Sequence, residues 1–185
     1  MQRTRADGRR IVKEILFSVL LICLLLLDQI TKTVAKSSFE SGWQKTTVIE
    51  NFFYFQYTMN TGAAWSFLSN VSWGQLFFKI ITPISLVLFF IYYVYVCKKG
   101  YKFLRVAIIL LIAGTIGNFI DRLVYNGVVD FISFVFGDYY FPIFNLADTF
   151  MTVSIVMIII HYLFLDKEAL FRRKNAKKSI QNWYK

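Results

Sequence analysis

"ILFSVLLICLLLLDQITK", residues 15–32, decides the medium in which this chain folds. Its apolar core is almost unbroken from Ile15 to Leu27 and then runs directly into Asp28 and Gln29. A cleavable signal peptide would end in small residues, and its apolar region would be shorter than this one. The stretch reads instead as the body of a membrane span over about 12–34. Three more spans follow, over about 73–97, 103–124 and 143–165, the last containing "VSIVMIIIHYLF". Each is close to the ~20 residues that cross a hydrocarbon core of ~30 Å.

Composition agrees. The 185 residues are 57% hydrophobic and 19% aromatic with only 17% charged, whereas a soluble domain is nearer ~45–50% apolar and ~25% charged. Cys23 and Cys97 lie inside apolar runs without metal-ligand spacing and read as small buried hydrophobes. No internal repeat, low-complexity segment or linker divides residues 1–185, so a single integral membrane domain is expected.

Basic residues set the expected orientation. Most of the 21 Lys and Arg precede the first span (Arg3, Arg5, Arg9, Arg10, Lys13), join the second to the third (Lys98, Lys99, Lys102, Arg105) or follow the fourth (Lys167, Arg172, Arg173, Lys174, Lys177, Lys178, Lys185). The positive-inside rule then places both termini in the cytoplasm and the loops 36–72 and 125–142 outside. The net charge of +10 reads as topology and contact with anionic membrane lipid, and nucleic acid is not an expected partner. In the first outer loop "TTVIENFFYFQYTMN" (46–60) is β-branched and aromatic, which predicts a small sheet at the outer surface between the first two spans. The second outer loop is compatible with strands or a short amphipathic helix. The expected architecture is an all-α membrane protein with a small β element, a bundle of four transmembrane helices.

Polar residues inside the spans gather at one depth. At ~1.5 Å per residue, Asp28 lies ~24 Å up the first span and Asp121 ~27 Å up the third, while Asp148 lies ~8 Å below the outer end of the fourth. Asp130, in the adjoining loop, reaches the same level. Asp28 and Lys32 share a helix face, as do Asn118, Asp121 and Arg122, and Asn145, Asp148 and Thr149. Polar faces are costly against lipid, so they should meet inside the bundle.

Most of these groups admit a plain reading beside a functional one. Lys32 either snorkels to the headgroups or faces the site. Asp28 is an ion-pair partner or a direct participant. Asp121 adjoins Arg122, which would hold it ionised in a structural or substrate-orienting pair. Asn118 and Asn145 either join helices, at ~0.6 kcal/mol each, or serve the site. Trp65, Trp73 and the tyrosines suit an interfacial belt, His161 sits far from the cluster, and Asp138 suits a solvated turn.

Asp130 and Asp148 differ. Neither has a basic residue within four positions, and both sit among apolar neighbours. Desolvation and mutual proximity should raise their pKa values, making a coupled pair in which one carboxylate takes a proton from water while the other, protonated, polarises a carbonyl. No Ser-His-Asp, Cys-His, HExxH or phosphate-binding glycine loop competes, and no metal or cofactor is called for. A proton-coupled transporter would also carry membrane carboxylates, though nearer the midplane and commonly with a repeat. A non-enzymatic lipid- or lipoprotein-binding protein is the third class.

Five motifs then carry a resemblance: "DQITK" (28–32), "NTGAAWSF" (60–67), "GTIGNFIDR" (114–122), "GVVDFI" (127–132) and "FNLADT" (144–149). In this order on four spans they resemble lipoprotein signal peptidase, signal peptidase II. The resemblance implies a metal-free intramembrane aspartic endopeptidase of the bacterial cytoplasmic membrane, its active site toward the extracytoplasmic face. Such an enzyme removes signal peptides from diacylglyceryl-modified prolipoproteins just before the lipidated cysteine and is inhibited by globomycin. Asp130 and Asp148 take the catalytic positions. Asp28, Lys32, Asn60, Gly62, Asn118, Asp121, Arg122, Asn145 and Ala147 would shape the pocket and position substrate. Thr149 follows Asp148 where Ser is common, and Trp65 follows the paired alanines where Phe is common. A monomer is expected.

Overall fold

The computed structural model describes residues 2–39, 45–62 and 71–166. Trp65, residues 63–67 of the second motif and the basic tail 167–185 lie outside the described residues, as do the side chains of Arg3, Arg5, Arg9 and Arg10. The chain forms α1 (Gln2–Ser38), β1 (Lys45–Ile49), β2 (Phe53–Asn60), α2 (Gly74–Lys99), α3 (Lys102–Tyr125), β3 (Val128–Phe136), β4 (Tyr139–Tyr140) and α4 (Leu146–Ile160), which a π-helical turn, His161–Leu165, extends. Among the described residues, three helical segments are long and apolar enough to cross a membrane: α2, α3, and α4 with its π turn.

Helix α3 is the axis of the molecule, and α1, α2 and α4 all pack on it. Its sequence permits this, because Gly114 and Gly117 fall where other helices approach. A Cβ at Gly114 would strike the carbonyl of Ala147 and the side chain of Met151, and one at Gly117 would strike the Asp28 carboxylate. Bare backbone at these two positions lets α4 and the polar part of α1 close onto α3.

The burial pattern is that of a protein solvated by lipid. A small apolar core of Val96, Leu104, Ala107 and Ile108 fills the end of the bundle farthest from the sheet. Beside it Arg105 is buried, 2.5 Å from Glu14 and 3.0 Å from the Tyr93 hydroxyl. Meanwhile Leu76, Ile80, Val87, Leu88, Phe90 and Ile91 of α2 are all more than half exposed. Apolar surface outside and carboxylates inside is the arrangement expected where the surroundings are hydrocarbon.

The sheet differs from the expected one in its membership. It is antiparallel in the order β1-β2-β3-β4, so its strands come from both loops and not only from the segment between the first two helices. Strand β3, rich in β-branched and aromatic residues, covers the edge that β2 would otherwise leave unpaired. Alternation is lost in its first half because Val128, Val129, Asp130 and Phe131 are all buried. Sequence periodicity could not separate strand from helix there for that reason. Register sets Asp130 opposite Thr58, and Val128 opposite Asn60. Ile132 bridges to Phe144, which draws the start of α4 to the side of β3. Asp138 occupies the exposed turn before β4, as its sequence suggested.

Gly114→Ala should force α4 away from α3. The expected result is a loss of about 1–3 kcal/mol from overpacking, read as a lower unfolding midpoint in detergent, with activity reduced further than at a lipid-facing Leu88→Ala control.

Candidate active site

Asn145 caps α4. Its side-chain oxygen accepts the Asp148 backbone N–H at 3.0 Å, and its own backbone N–H donates to Asp148 Oδ2 at 3.1 Å. This reciprocal capping box satisfies two backbone donors that a helix start leaves open, and it fixes the Asp148 carboxylate at the helix N-terminus. The other half of the Asn145 amide faces β3, where Nδ2 donates to Asp130 Oδ1 at 2.6 Å. A single side chain therefore ties both aspartates.

Each carboxylate has one more amide. Asn60, the last residue of β2, donates from Nδ2 to Asp130 Oδ2 at 2.9 Å, and its Oδ1 accepts the Gly62 backbone N–H at 2.9 Å. Asn118 of α3 donates from Nδ2 to Asp148 Oδ1 at 2.8 Å. Asp130 is 2% exposed. Burial, and then the nearby Asp148 charge, raise its pKa to about 7, against the lowering pull of its two amide donors.

A second layer of charge stands behind the pair. Lys32 is 2% exposed, which excludes snorkelling. Its Nζ lies 2.9 Å from Asp28, 3.1 Å from Asp121 and 2.8 Å from Asn118 Oδ1. The pairing expected between Asp121 and Arg122 is therefore not the one that forms. Adjacent residues on a helix point ~100° apart, and Asp121 turns inward to Lys32, accepting the Val129 backbone N–H at 3.0 Å on the way. Arg122 turns to α2, its guanidinium over the Phe78 ring and donating to the Gly62 carbonyl at 3.1 Å. Asp28 reaches across to α4, accepting the N–H of buried Ala147 at 2.9 Å.

The structure thus draws Asp28, Lys32, Asn60, Asn118, Asp121, Asp130, Asn145, Ala147 and Asp148 into one connected network, with Gly62 and Arg122 at its edge. Trp73 is exposed at the start of α2, and His161 lies apart, against Tyr101. Gln29 was missed: its Nε2 donates to Asp28, to the Gly117 carbonyl and to Asp121. Its position beside Asp28 in "DQITK" was the available signal.

A family model described as signal peptidase (SPase) II matches residues 20–164. The chain belongs to the signal peptidase II family. The lipoprotein signal peptidase of Listeria monocytogenes serotype 4a (strain HCC23) is 39% identical over 150 residues, covering 81% of this chain and 94% of that protein. That of Bacillus subtilis (strain 168) is 37% identical over 148 residues, covering 80% and 93%. Two solved structures are similar at 37% identity, each described as a bacterial membrane enzyme studied by the in meso method, at 2.3 Å and 1.9 Å resolution. Their TM-scores are 0.67 and 0.68, covering 78% and 80% of this chain and 85% and 92% of theirs. Signal peptidase II membership makes this membrane protein a lipoprotein-processing protease, and it gives the paired aspartates a chemistry to be tested.

Lys32→Met would leave two buried carboxylates facing each other without a cation. A cost of about 3–5 kcal/mol is expected for breaking such a buried pairing. Thermal unfolding in detergent should show it, with part of the loss recovered when Asp121→Asn is added.

Proposed function

We propose that this chain is an intramembrane aspartic endopeptidase that cleaves diacylglyceryl-modified prolipoproteins just before the lipidated cysteine. The observation that carries the reading is the Asn145 amide joining Asp130 to Asp148, with Asp130 buried and its pKa raised to about 7. Two close carboxylates of this kind retain one proton between them. The ionised member takes a proton from a water held between them, and that water's oxygen attacks the scissile carbonyl carbon. The protonated member gives its proton to the carbonyl oxygen. The resulting diol then collapses. The second aspartate, now ionised, takes a hydroxyl proton as the carbonyl reforms. The C–N bond breaks, and the first gives the proton it took from water to the leaving nitrogen.

The surroundings fit this substrate. The run 15–32 in α1 is the first span and joins those of α2, α3 and α4 to make four, which with the basic residues puts both termini in the cytoplasm and the sheet end at the outer surface. A dyad at that level meets a peptide whose acyl chains are still in the bilayer. Arg122 and Asn60 orient the peptide, Gly62 and Ala147 keep the walls close, and the sheet covers the peptide from above. Water-excluding cover strengthens every polar contact beneath it. Globomycin would occupy the same place.

Asp130→Asn and Asp148→Asn should each lower processing of a lipidated precursor by about 10³-fold or more, with insertion into the membrane unchanged. The measurement is gel-shift turnover of a diacylglyceryl precursor with and without globomycin, and retained turnover in either variant would sink the dyad. The sign of the pH dependence follows from the raised pKa. The shared proton is held below about 7 and lost above it, so kcat should fall as pH rises through that value and not rise. Cleavage that stays level from pH 6 to pH 9 would contradict the proton-sharing pair.

A further inference from the structure

Strand β2 pairs with β3 through one break in register, and it falls beside the dyad. The pairs run Phe53–Phe134, Tyr54–Ser133 and Phe55–Ile132, then resume at Thr58–Asp130, Met59–Val129 and Asn60–Val128. Gln56 and Tyr57 therefore oppose Phe131 alone, which makes a β-bulge. Bulges beside functional sites re-aim side chains. Had the first register continued, Tyr57 would stand opposite Asp130. The bulge puts Thr58 there, a small hydroxyl in place of a phenol ring.

Directly opposed residues project from the same face of a sheet, their Cβ atoms ~4.5–5.5 Å apart. Asn60, two residues on and so on the same face as Thr58, donates its amide to Asp130. That face is therefore the one turned to the dyad. Thr58 approaches Asp130 from the β2 edge of β3. Asn145 and the start of α4 approach from the other edge, where Phe144 bridges to Ile132. The hydroxyl thus flanks Asp130 on the side opposite α4.

The amides around the pair are committed. Asn60 and Asn145 donate to Asp130, and Asn118 donates to Asp148. Thr58 is only half-buried, and among the described residues its hydroxyl takes no partner. A free hydroxyl can donate to a carbonyl or accept from an amide N–H, and an extended peptide offers both at nearly every residue. We propose that Thr58 is a substrate-binding residue whose hydroxyl bonds the peptide backbone beside the scissile bond, on the flank of Asp130 opposite α4. The proposal rests on the protease reading and adds a contact to the same site. Placed to one side of the dyad, the hydroxyl serves binding and not the chemical step.

Thr58→Val keeps the branched shape that strands favour and removes the hydroxyl, whereas Thr58→Ser keeps the hydroxyl. With a diacylglyceryl precursor and the full chain in detergent, Thr58→Val should raise KM by about fivefold, the worth of one hydrogen bond. Its kcat should stay within about twofold, because the contact holds ground state and transition state alike. Thr58→Ser should return KM to that of the natural chain, a rescue that a merely structural strand residue would not require. An unchanged KM in Thr58→Val would overturn the proposal. So would a fall in kcat at constant KM, which would assign the hydroxyl to the attacking water. Binding is also read without turnover, as the Kd of the same precursor for Asp148→Asn with and without Thr58→Val. About fivefold weakening there upholds the contact even if the natural chain cleaves nothing, and equal Kd values refute it even if the natural chain cleaves well.

Discussion

The side chain of Asn145 faces two ways at once. Its oxygen closes the first turn of α4 and its nitrogen donates to Asp130 on β3, so the helix that carries one aspartate and the strand that carries the other share a single amide. Neither element could shift by a residue without breaking a capping box or leaving a buried carboxylate with one donor fewer. A buried polar group stripped of its partner costs more than the bond returned when made. This asymmetry fixes the distance between the aspartates more firmly than apolar packing would, in a molecule whose helices turn much of their apolar surface outward.

Charge behind the pair is arranged to the same end. Lys32 stands between Asp28 and Asp121 and touches Asn118, which in turn holds Asp148. The cation is thus linked to Asp148 through the Asn118 amide, and among the described residues no cation lies within 4.0 Å of Asp130 or Asp148 as an ion pair. A lysine bonded directly to Asp130 or Asp148 would hold that carboxylate ionised and remove the acid that the proposed chemistry needs. Asp28 also receives Ala147 from α4, so the ion cluster and the helix bearing Asp148 are one mechanical unit. Gly117 makes room for it by leaving no Cβ in the path of the Asp28 carboxylate.

Much of this was legible in the chain. Helical rise brought Asp28, Asp121 and Asp148 to one level, because depth in a membrane is set by counting residues from a span's end, and Asp130 in the adjoining loop was within reach of it. The spacing of Asp28 and Lys32 gave their pairing, since residues four apart share a helix face. Azimuth between neighbours was harder. Asp121 and Arg122 adjoin in sequence, yet one faces Lys32 of α1 and the other Phe78 of α2, and only the packing of both helices on α3 decides that. The strand at Asp130 was hidden for a different reason: burial on both faces erases the alternation by which strands are read. Asn145 looked like interhelical glue, since nothing local showed that its second partner would be a residue of β3.

The central claim is that Asp130 and Asp148 hold one proton between them up to about neutral pH. Carbon-13 NMR of the full chain in detergent, labelled at aspartate side-chain carboxyls and compared with Asp130→Asn and Asp148→Asn, reads it directly. The account requires one carboxyl that stays protonated at pH 6 and titrates near 7, and whose pKa falls when Asp148 becomes Asn. Both carboxyls fully ionised at pH 6 in the natural chain would contradict it.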